Sequence, residues 1–323
     1  MYKSIMVPTD GSGFDREAIR VALRIGERTD AKVRLVRVLS TGSFFGAAAA
    51  AEGTAVAAEI VRSERDRALS ELYSLAAECR ATSKADVTVD LHAGPVTDVL
   101  QGYARRNDID LIVISTHARS GFSRLSLGSV TDSLIRHTTI PVLVVKPSVS
   151  YLNPQVGGAF SRIVVPLDGS TLAEQILPRV LELAKLEDAE ITLLNVLIPQ
   201  SYSQKEIVDP SLPWWDKDIS LAQVYLSYVA TRLRHRGVTV TTDIVIAENV
   251  ASAIGDFASR EKADLIAIAT HGRGGLARMI RGSVADAIMH AGRMSMLVFK
   301  PDMTVEKEAA PYSDGIQADL IRA

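Results

Sequence analysis

Residues 3–12 read KSIMVPTDGS and residues 161–170 read SRIVVPLDGS, so one short segment occurs twice in this chain. In both, an apolar run ends in an aspartate followed by Gly-Ser, a pattern typical of a buried strand that enters a turn. A longer match joins residues 108–147 to residues 262–301 without gaps, with 17 of 40 positions identical. The offset is 158 in the first match and 154 in the second, so the first copy has four more residues in its middle. The chain is therefore predicted to be a tandem duplication.

Strands and helices are predicted to alternate within each copy. Short runs of strand length lie at 5–8, 33–38, 87–92, 111–115 and 142–145 in the first copy, and near Ile163, Ile191, Val240, Leu265 and Leu297 in the second. Amphipathic stretches with helical spacing, such as residues 63–80, lie between them. Apolar strands that alternate with helices are typical of a parallel sheet covered on both faces. The predicted fold class is α/β, with two tandem five-stranded doubly wound sandwiches.

The length of 323 residues agrees with two domains. We expect domains at 1–147 and 161–301, joined by a linker at 148–160 and followed by a tail at 302–323. Each copy also carries an insertion after its second strand. The first insertion, 41–54, is rich in Gly and Ala, and the second contains several prolines with Trp214 and Trp215. This Trp pair could form a lid, a partner surface or a packed loop.

Composition excludes several classes of function. The formal net charge of -2 and the pI near 6.3 provide no basic field, so nucleic acid is not an expected partner. The single cysteine, Cys79, cannot form an internal disulfide and lies on an apolar helix face, so we expect a core residue in a reducing cytoplasm. No apolar run has the length of a membrane span, and no His or Cys cluster has metal-ligand spacing. Neither a P-loop nor a dinucleotide fingerprint is present.

Two repeated motifs are predicted at the carboxyl ends of the strands, where ligands of open parallel sheets bind. The first is Asp10 with Ser12, repeated at Asp168. This aspartate could accept hydrogen bonds from a ribose or an adenine amine. Alternatively, Asp10 or Ser12 could cap the helix that follows.

The second motif follows the fourth strand of each copy. Residues 115–118 read STHA and precede Gly128-Ser129 by nine residues, and residues 269–272 read ATHG and precede Gly282-Ser283 by nine. Helices are predicted directly afterwards, at 130–137 and 284–291. Free amides at a helix N-terminus form an anion site suited to phosphate. Alternatively, Ser129 and Ser283 cap these helices.

The two motifs resemble those of the universal stress protein family in its tandem form. ATP-binding members carry Gly-x-x-Gly, nine residues and Gly-Ser/Thr, after a first strand that ends in aspartate. The resemblance covers both copies and implies an adenine nucleotide α hydrolase-like fold that binds ATP, with Mg²⁺ arriving on the phosphates. It also implies that residues 141–145 and 295–299 pair within the chain as a pseudo-dimer, while the sequence leaves open whether two chains form a homodimer.

The resemblance implies nucleotide-binding residues in both copies. Asp10 and Val38, or Asp168 and Val196, would contact ribose and adenine, and the loop and helix residues would contact the triphosphate. The first site consists of Pro8, Asp10, Val38, Ile114, Ser115, Ala118, Gly128, Ser129 and Val130. The second consists of Pro166, Asp168, Val196, Ile268, Ala269, Gly272, Gly282, Ser283 and Val284.

This chain departs from the family motif at three glycine positions. Ser115 and Ala269 replace the first glycine, and the second glycine is kept as Gly272 but replaced by Ala118 in the first copy. A methyl group where the backbone approaches phosphate should weaken binding. We therefore predict that the second site is the better one.

The remaining polar loop residues have two interpretations each. His117 and His271 could be catalytic but are more simply structural, and Arg119, Arg124, Arg273 and Arg278 could contact phosphate or solvent. No residue is evident that would position water, so any hydrolysis should be slow. The sequence predicts a nucleotide-binding stress or signalling module. A weak ATPase, a nucleotide-dependent transferase and a scaffold without nucleotide are the alternatives.

Overall fold

Alternating strands and helices build both copies in a computed structural model that describes residues 1–40, 54–115, 128–146, 159–199, 215–270, 283–291 and 294–301. The first copy contains β1 Ser4–Thr9, α1 Arg16–Thr29, β2 Lys32–Leu39, α2 Thr54–Thr82, β3 Asp86–Ala93, α3 Val96–Arg106, β4 Leu111–Ser115, α4 Ser129–His137 and β5 Val142–Val145. The second contains β6 Arg162–Pro166, α5 Thr171–Glu174, α6 Leu177–Glu187, β7 Glu190–Leu197, α7 Trp215–Arg234, β8 Val240–Ile246, α8 Val250–Arg260, β9 Leu265–Ala269, α9 Ser283–Ala291 and β10 Ser295–Phe299. The predicted α/β class is confirmed.

All these strands belong to one sheet, in the order β3-β2-β1-β4-β5-β10-β9-β6-β7-β8. Neighbouring strands within each copy are parallel. In the first copy the chain proceeds outward from β1 through β2 to β3, then returns to place β4 on the other side of β1. The strand order thus reverses between β1 and β4, and by symmetry between β6 and β9. In open α/β sheets, ligands bind beside this reversal.

The two copies join through an antiparallel pair of strands. Leu297 of β10 is aligned with Leu143 of β5, and both side chains are buried. This pairing confirms the predicted intramolecular pseudo-dimer. It also covers two edge strands whose free backbone groups would otherwise invite association.

Alternation along the strands sends side chains to two cores, one on each face of the sheet. Ile5 and Val7 of β1 belong to the core beneath α1 and α2, whereas Met6 belongs to the core beneath α3 and α4. The corresponding helices of the second copy cover the same faces. Both faces are therefore apolar, as the near-continuous apolar strands predicted.

A buried carboxylate links the copies on the α1 side. Glu187, at the end of α6, has a fully buried side chain whose Oε2 lies 3.1 Å from Nε of Arg24 in α1. The same oxygen accepts a hydrogen bond from the backbone amide of Ala159 at 2.7 Å. The Arg28 guanidinium also donates to the Leu186 carbonyl oxygen. These contacts attach α1 of the first copy to the second copy independently of the shared sheet.

Helix α2 is longer than the sequence predicted. The amphipathic pattern indicated a helix over 63–80, but the helix begins at Thr54. Residues 54–62 read TAVAAEIVR and are apolar at most positions, so they show little of the alternation between apolar and polar faces by which periodicity identifies a helix. Of the predicted linker, only Ala159 and Phe160 are described, and the predicted tail and Trp214 lie outside the described residues. Within the described residues, no helix is long and apolar enough to cross a membrane.

Candidate functional site

The turn after β1 is built around the Asp10 carboxylate. Its Oδ1 accepts a hydrogen bond from the Ser12 amide at 2.8 Å, and Gly11 between them has φ +76°. The second copy repeats this geometry. Asp168 Oδ1 accepts from the Ser170 amide at 2.9 Å, and Gly169 has φ +85°. Such a left-handed turn favours glycine, which explains the repeated Asp-Gly-Ser.

The capping interpretation of this motif holds in one place only. Helix α1 begins after Asp15, so neither Asp10 nor Ser12 caps it. In the second copy the Ser170 hydroxyl does cap the short α5, accepting from the Ala173 amide at 3.1 Å. In both copies the aspartate side chain accepts a hydrogen bond within the turn, and in neither copy is this aspartate the N-cap residue of the helix that follows.

Helix α4 presents its N-terminus to the same edge of the sheet. Gly128 is its N-cap residue and Ser129 its first helical residue, and no side-chain hydrogen bond caps the helix. The predicted helix thus begins one residue earlier than expected, and Ser129 is not its cap. Among the described residues, a Cβ added to Gly128 would meet only Thr131 Oγ1, at 3.8 Å. The N-terminus of α4 is a place where the helix dipole favours an anion.

A cavity of about 610 Å³ lies between these two features. Its size is within the range of small-molecule sites. Eight of the nine residues predicted for the first site line it, and the ninth, Ala118, lies outside the described residues. The eight are Pro8, Asp10, Val38, Ile114, Ser115, Gly128, Ser129 and Val130.

Further residues line the cavity that were not assigned to the site from the sequence, among them Phe14 and four residues of α2 and β2. Phe14 is half exposed, Ile60 belongs to the part of α2 that was not predicted, and Glu64 and Arg67 belong to the part that was. Arg37 completes the group on β2. Only packing brings these side chains together, since they share no motif. Arg37 precedes the predicted site residue Val38 in β2, so the sequence places it near the site, but the sequence does not show which side chains Arg37 contacts.

Charged side chains of α2 and β2 form an ion-pair network at this cavity. Arg37 Nη1 donates to Glu71 Oε2 at 2.7 Å, and Arg67 Nε lies 3.7 Å from Glu71 Oε1. Arg67 Nη2 also donates to Glu64 at 3.2 Å. The hydrogen bond from Arg37 lowers the pKa of the Glu71 carboxyl below its usual value. The network holds the α2 side of the cavity against β2.

The second copy replaces this network with uncharged groups. The offsets place Asn195 at the position of Arg37 and Tyr225 at that of Glu71. The Asn195 side-chain amide donates to the Leu167 carbonyl oxygen at 2.7 Å. Burial, assisted by the nearby Glu174 carboxylate, raises the pKa of the Tyr225 phenol. The two copies thus differ in charge at equivalent positions beside their turns.

The structure places part of the predicted second site at one edge of the sheet. Pro166, Asp168 and Val196 lie at or just beyond the carboxyl ends of β6 and β7, Ile268 and Ala269 end β9, and Val284 is the second residue of α9. Gly272 and Gly282 lie outside the described residues, and of Ser283 only the backbone is described. The second copy has a cavity of about 290 Å³ between α7 and β8, and none of the predicted site residues lines it.

The remaining candidates divide into described and undescribed residues. Cys79 is buried, and desolvation raises the pKa of its thiol, as expected of a core cysteine rather than a nucleophile. His117, His271 and the four loop arginines lie outside the described residues. No group of three or more potential metal ligands occurs in the described part of the chain.

The fold and this cavity define a class of protein: a doubly wound α/β protein with a cavity at the strand-order reversal of its first copy. The sequence model of the universal stress protein family matches residues 1–146 and 159–300. The chain therefore belongs to the universal stress protein family.

Individual relatives agree with this assignment. A universal stress protein of Methanocaldococcus jannaschii is 33% identical over 147 residues, which cover 45% of this chain and 83% of the relative. One from Mycobacterium tuberculosis is 29% identical over 198 residues, which cover 59% of this chain and 62% of the relative. The crystal structure of a universal stress protein from Archaeoglobus fulgidus matches 92% of this chain and 98% of its own with a TM-score of 0.66, at 17% identity. That likeness extends to the tandem arrangement as a whole.

Proposed function

We propose that this chain binds ATP or a related adenine nucleotide and acts as a nucleotide-dependent stress-response or signalling module. The observation that supports the proposal most directly is the cavity of about 610 Å³, which gathers residues from both repeated motifs. Asp10 and Gly128 come from opposite ends of the first domain, yet they line one space. The proposal follows the family resemblance, and the residues that line the cavity are the ones that we propose contact the nucleotide.

The cavity offers a suitable group for each part of a nucleotide. Asp10 would accept hydrogen bonds from ribose hydroxyls, and the apolar Val38 and Ile114 would contact the base. The phosphates would lie at the N-terminus of α4, where the amides of Ser129 and Val130 begin the helix. Magnesium would arrive with the phosphates and supply charge neutralisation.

Three related points are part of this proposal. The domains extend over 1–147 and 161–301, with a linker at 148–160 and a tail at 302–323. The chain acts in the cytoplasm. The second site, which keeps Gly272, binds nucleotide more tightly than the first, which has Ala118.

A titration calorimetry experiment with ATP tests the proposal. The Asp10→Asn variant keeps an oxygen that can accept from the Ser12 amide, so the turn should survive, but it removes the charge that would face the ribose. We expect ATP to bind the unmodified chain and to bind the first site of Asp10→Asn about tenfold more weakly, because hydrogen bonds to charged groups are among the stronger ones.

The matched control is Asp30→Asn. Asp30 is exposed beyond the end of α1, has φ 55° and does not line the cavity, and Asn tolerates this conformation. ATP affinity should be unchanged in this variant. An unmodified chain that shows neither heat of binding nor a rise in melting temperature with millimolar ATP would refute the proposal and favour the scaffold alternative.

A further inference from the structure

Strand β8 lies at one end of the sheet, so one of its edges has no neighbouring strand among the described residues. The Ala247 amide donates to the Leu197 carbonyl oxygen at 3.0 Å, and the Ile191 amide donates to the Thr239 carbonyl oxygen at 2.9 Å. Both contacts join β7 to odd-numbered residues that flank β8. Because successive residues of a strand direct their backbone groups to opposite sides, the even-numbered residues of β8 present theirs to the open edge.

Part of this open edge is already hydrogen-bonded. Nη2 of Arg234 donates to the Val240 carbonyl oxygen at 2.6 Å, and the Ile244 amide donates to Asp243 Oδ1 at 2.7 Å. The other outward backbone groups of residues 242–246 have no hydrogen-bond partner in the described part of the chain. Unpaired backbone groups at a sheet edge are a template for another strand. The carboxyl half of β8 is therefore the open part of the edge.

A groove of about 290 Å³ lies beside this half of β8. Ile219 and Leu226 line it from α7, and Ile244 and Ile246 line it from β8. Ile246 is 44% exposed. Side chains of a strand alternate between its two faces, so every second side chain of an added strand would lie on the α7 side, where the groove is. The groove is thus suited to apolar side chains at alternate positions.

The first copy differs at the equivalent edge strand. By strand pairing, Thr242 corresponds to Val89 and Ile246 corresponds to Ala93 of β3. Val89 packs against the core of the first copy, whereas Thr242 is exposed. The second copy thus has a polar residue where the first packs an apolar one, and an exposed isoleucine where the first has alanine. Exposed apolar side chains beside open backbone groups are typical of an interaction surface.

Charge distinguishes between the segments that could occupy this edge. Asp243 lies in the middle of β8, lines the groove and is exposed. Antiparallel pairing with β8 of a second copy, centred on this residue, would place two Asp243 carboxylates opposite each other, and like charges directly opposite are destabilising. Strand β3 carries Asp90 at the same position, so an in-register contact between the two edges of the sheet meets the same repulsion. A basic residue opposite Asp243 would instead attract it.

We propose that residues 242–246 and the groove beside them bind an extended, basic peptide segment of a partner protein, which adds to the ten-stranded sheet at this edge. Backbone hydrogen bonds hold the segment, apolar side chains at alternate positions enter the groove, and a lysine or arginine pairs with Asp243. The site shares no lining residue with the cavity of the first copy. It therefore goes beyond the proposed nucleotide binding and does not depend on it.

Fluorescence anisotropy with a labelled peptide of alternating valine and lysine tests the proposal on the full chain without nucleotide. We expect saturable binding in the micromolar range. The Asp243→Lys variant should bind this peptide about tenfold more weakly, because it replaces an attraction by a repulsion. The same variant should bind a peptide of alternating valine and glutamate more tightly than the unmodified chain does.

The matched control is Asp86→Lys. Asp86 begins β3 at the other end of the sheet, where its carboxylate lies 3.6 Å from Lys32 Nζ. This variant makes the same change of net charge away from the groove, so its affinity for both peptides should equal that of the unmodified chain. Thermal unfolding checks that both variants are folded.

A valine–lysine peptide with N-methylated amides tests the strand pairing itself. It keeps the side chains but cannot donate to the carbonyl groups of the edge, so it should bind about tenfold more weakly. Equal affinity of the methylated and unmethylated peptides would overturn strand addition. Equal losses in Asp243→Lys and Asp86→Lys would reveal non-specific charge attraction and overturn the site.

Two further outcomes would contradict the proposal. One is the absence of saturable peptide binding to the unmodified chain. The other is a dimer in sedimentation that the Thr242→Pro variant converts to a monomer, because this result would assign the edge to a second copy. Neither outcome bears on ATP binding, which the titration of the unmodified chain with ATP measures separately.

Discussion

Arg16 and Glu78 form an ion pair at 3.4 Å between α1 and α2, and the second copy holds the same pair with its charges exchanged. There Glu174 occupies the position of Arg16, and Arg232 of α7 occupies that of Glu78, with 3.0 Å between the charged atoms. The two copies have thus kept an attraction between these elements while changing both residues. The contact, rather than either residue, is what the two copies share at this position.

This exchange predicts the outcome of a charge-reversal experiment. Arg16→Glu should lower the free energy of unfolding by up to about 1 kcal/mol, since exposed ion pairs are worth little and like charges repel. Adding Glu78→Arg should restore the free energy of unfolding, because the double variant reproduces the charge arrangement of the second copy. Urea denaturation at low salt measures both values. A double variant no more stable than the single one would contradict the prediction, and high salt should shrink all differences.

The buried Glu187 carboxylate predicts a larger effect at the contact between the copies. Glu187→Ala should lower the free energy of unfolding by about 2 kcal/mol, because it removes the buried carboxylate that faces Arg24 Nε and that accepts the Ala159 amide hydrogen bond. Glu182→Ala is the control. Glu182 pairs with the N-terminal amine at 2.7 Å near the surface, so its loss should cost less than about 1 kcal/mol. Equal costs in urea denaturation would show that burial of Glu187 is unimportant.

The Arg37–Glu71 pair predicts a pH dependence at the cavity. Arg37 lowers the pKa of Glu71 in the folded state, so the unfolded state binds a proton first as the pH falls. The pair therefore stabilises the fold above the unfolded pKa of about 4.3, and the contribution disappears as the pH falls through the folded value. Glu71→Gln should be less stable than the unmodified chain at pH 7, by under about 1 kcal/mol because the Glu71 side chain is 48% exposed. In urea denaturation, this difference should vanish toward pH 3, and a constant difference would refute the assignment.

The ranking of the two sites predicts unequal effects of two matched substitutions. Gly282→Trp should remove most ATP binding, because it fills the site that keeps Gly272. Gly128→Trp should remove the smaller part of the ATP binding, and it should fold normally because, within the described part of the chain, only Thr131 Oγ1 approaches the added Cβ, at 3.8 Å. Titration calorimetry with ATP measures how much binding each of the two variants has lost. A larger loss in Gly128→Trp would reverse the ranking.

The described part of the first site was largely predictable from sequence because its residues occur in local motifs. Asp10 ends a strand within a repeated segment, and Gly128 begins a helix within another, so each could be placed at the same edge of a parallel sheet. Phe14, Ile60 and Arg67 could not be predicted in this way. Ile60 and Arg67 reach the cavity because α2 packs beside it, and Phe14 reaches it from the turn before α1, so neither contact follows from a local motif.

The sequence by itself determined the duplication, the α/β class and the strand positions, because repeats and hydrophobic periodicity are local properties of the chain. The tertiary structure alone showed the ion-pair network of Arg37, the exchanged charges of Arg16 and Glu174, and the groove between α7 and β8. These features depend on distances between residues far apart in the chain. Such distances follow from how helices pack on a sheet, and periodicity does not record them.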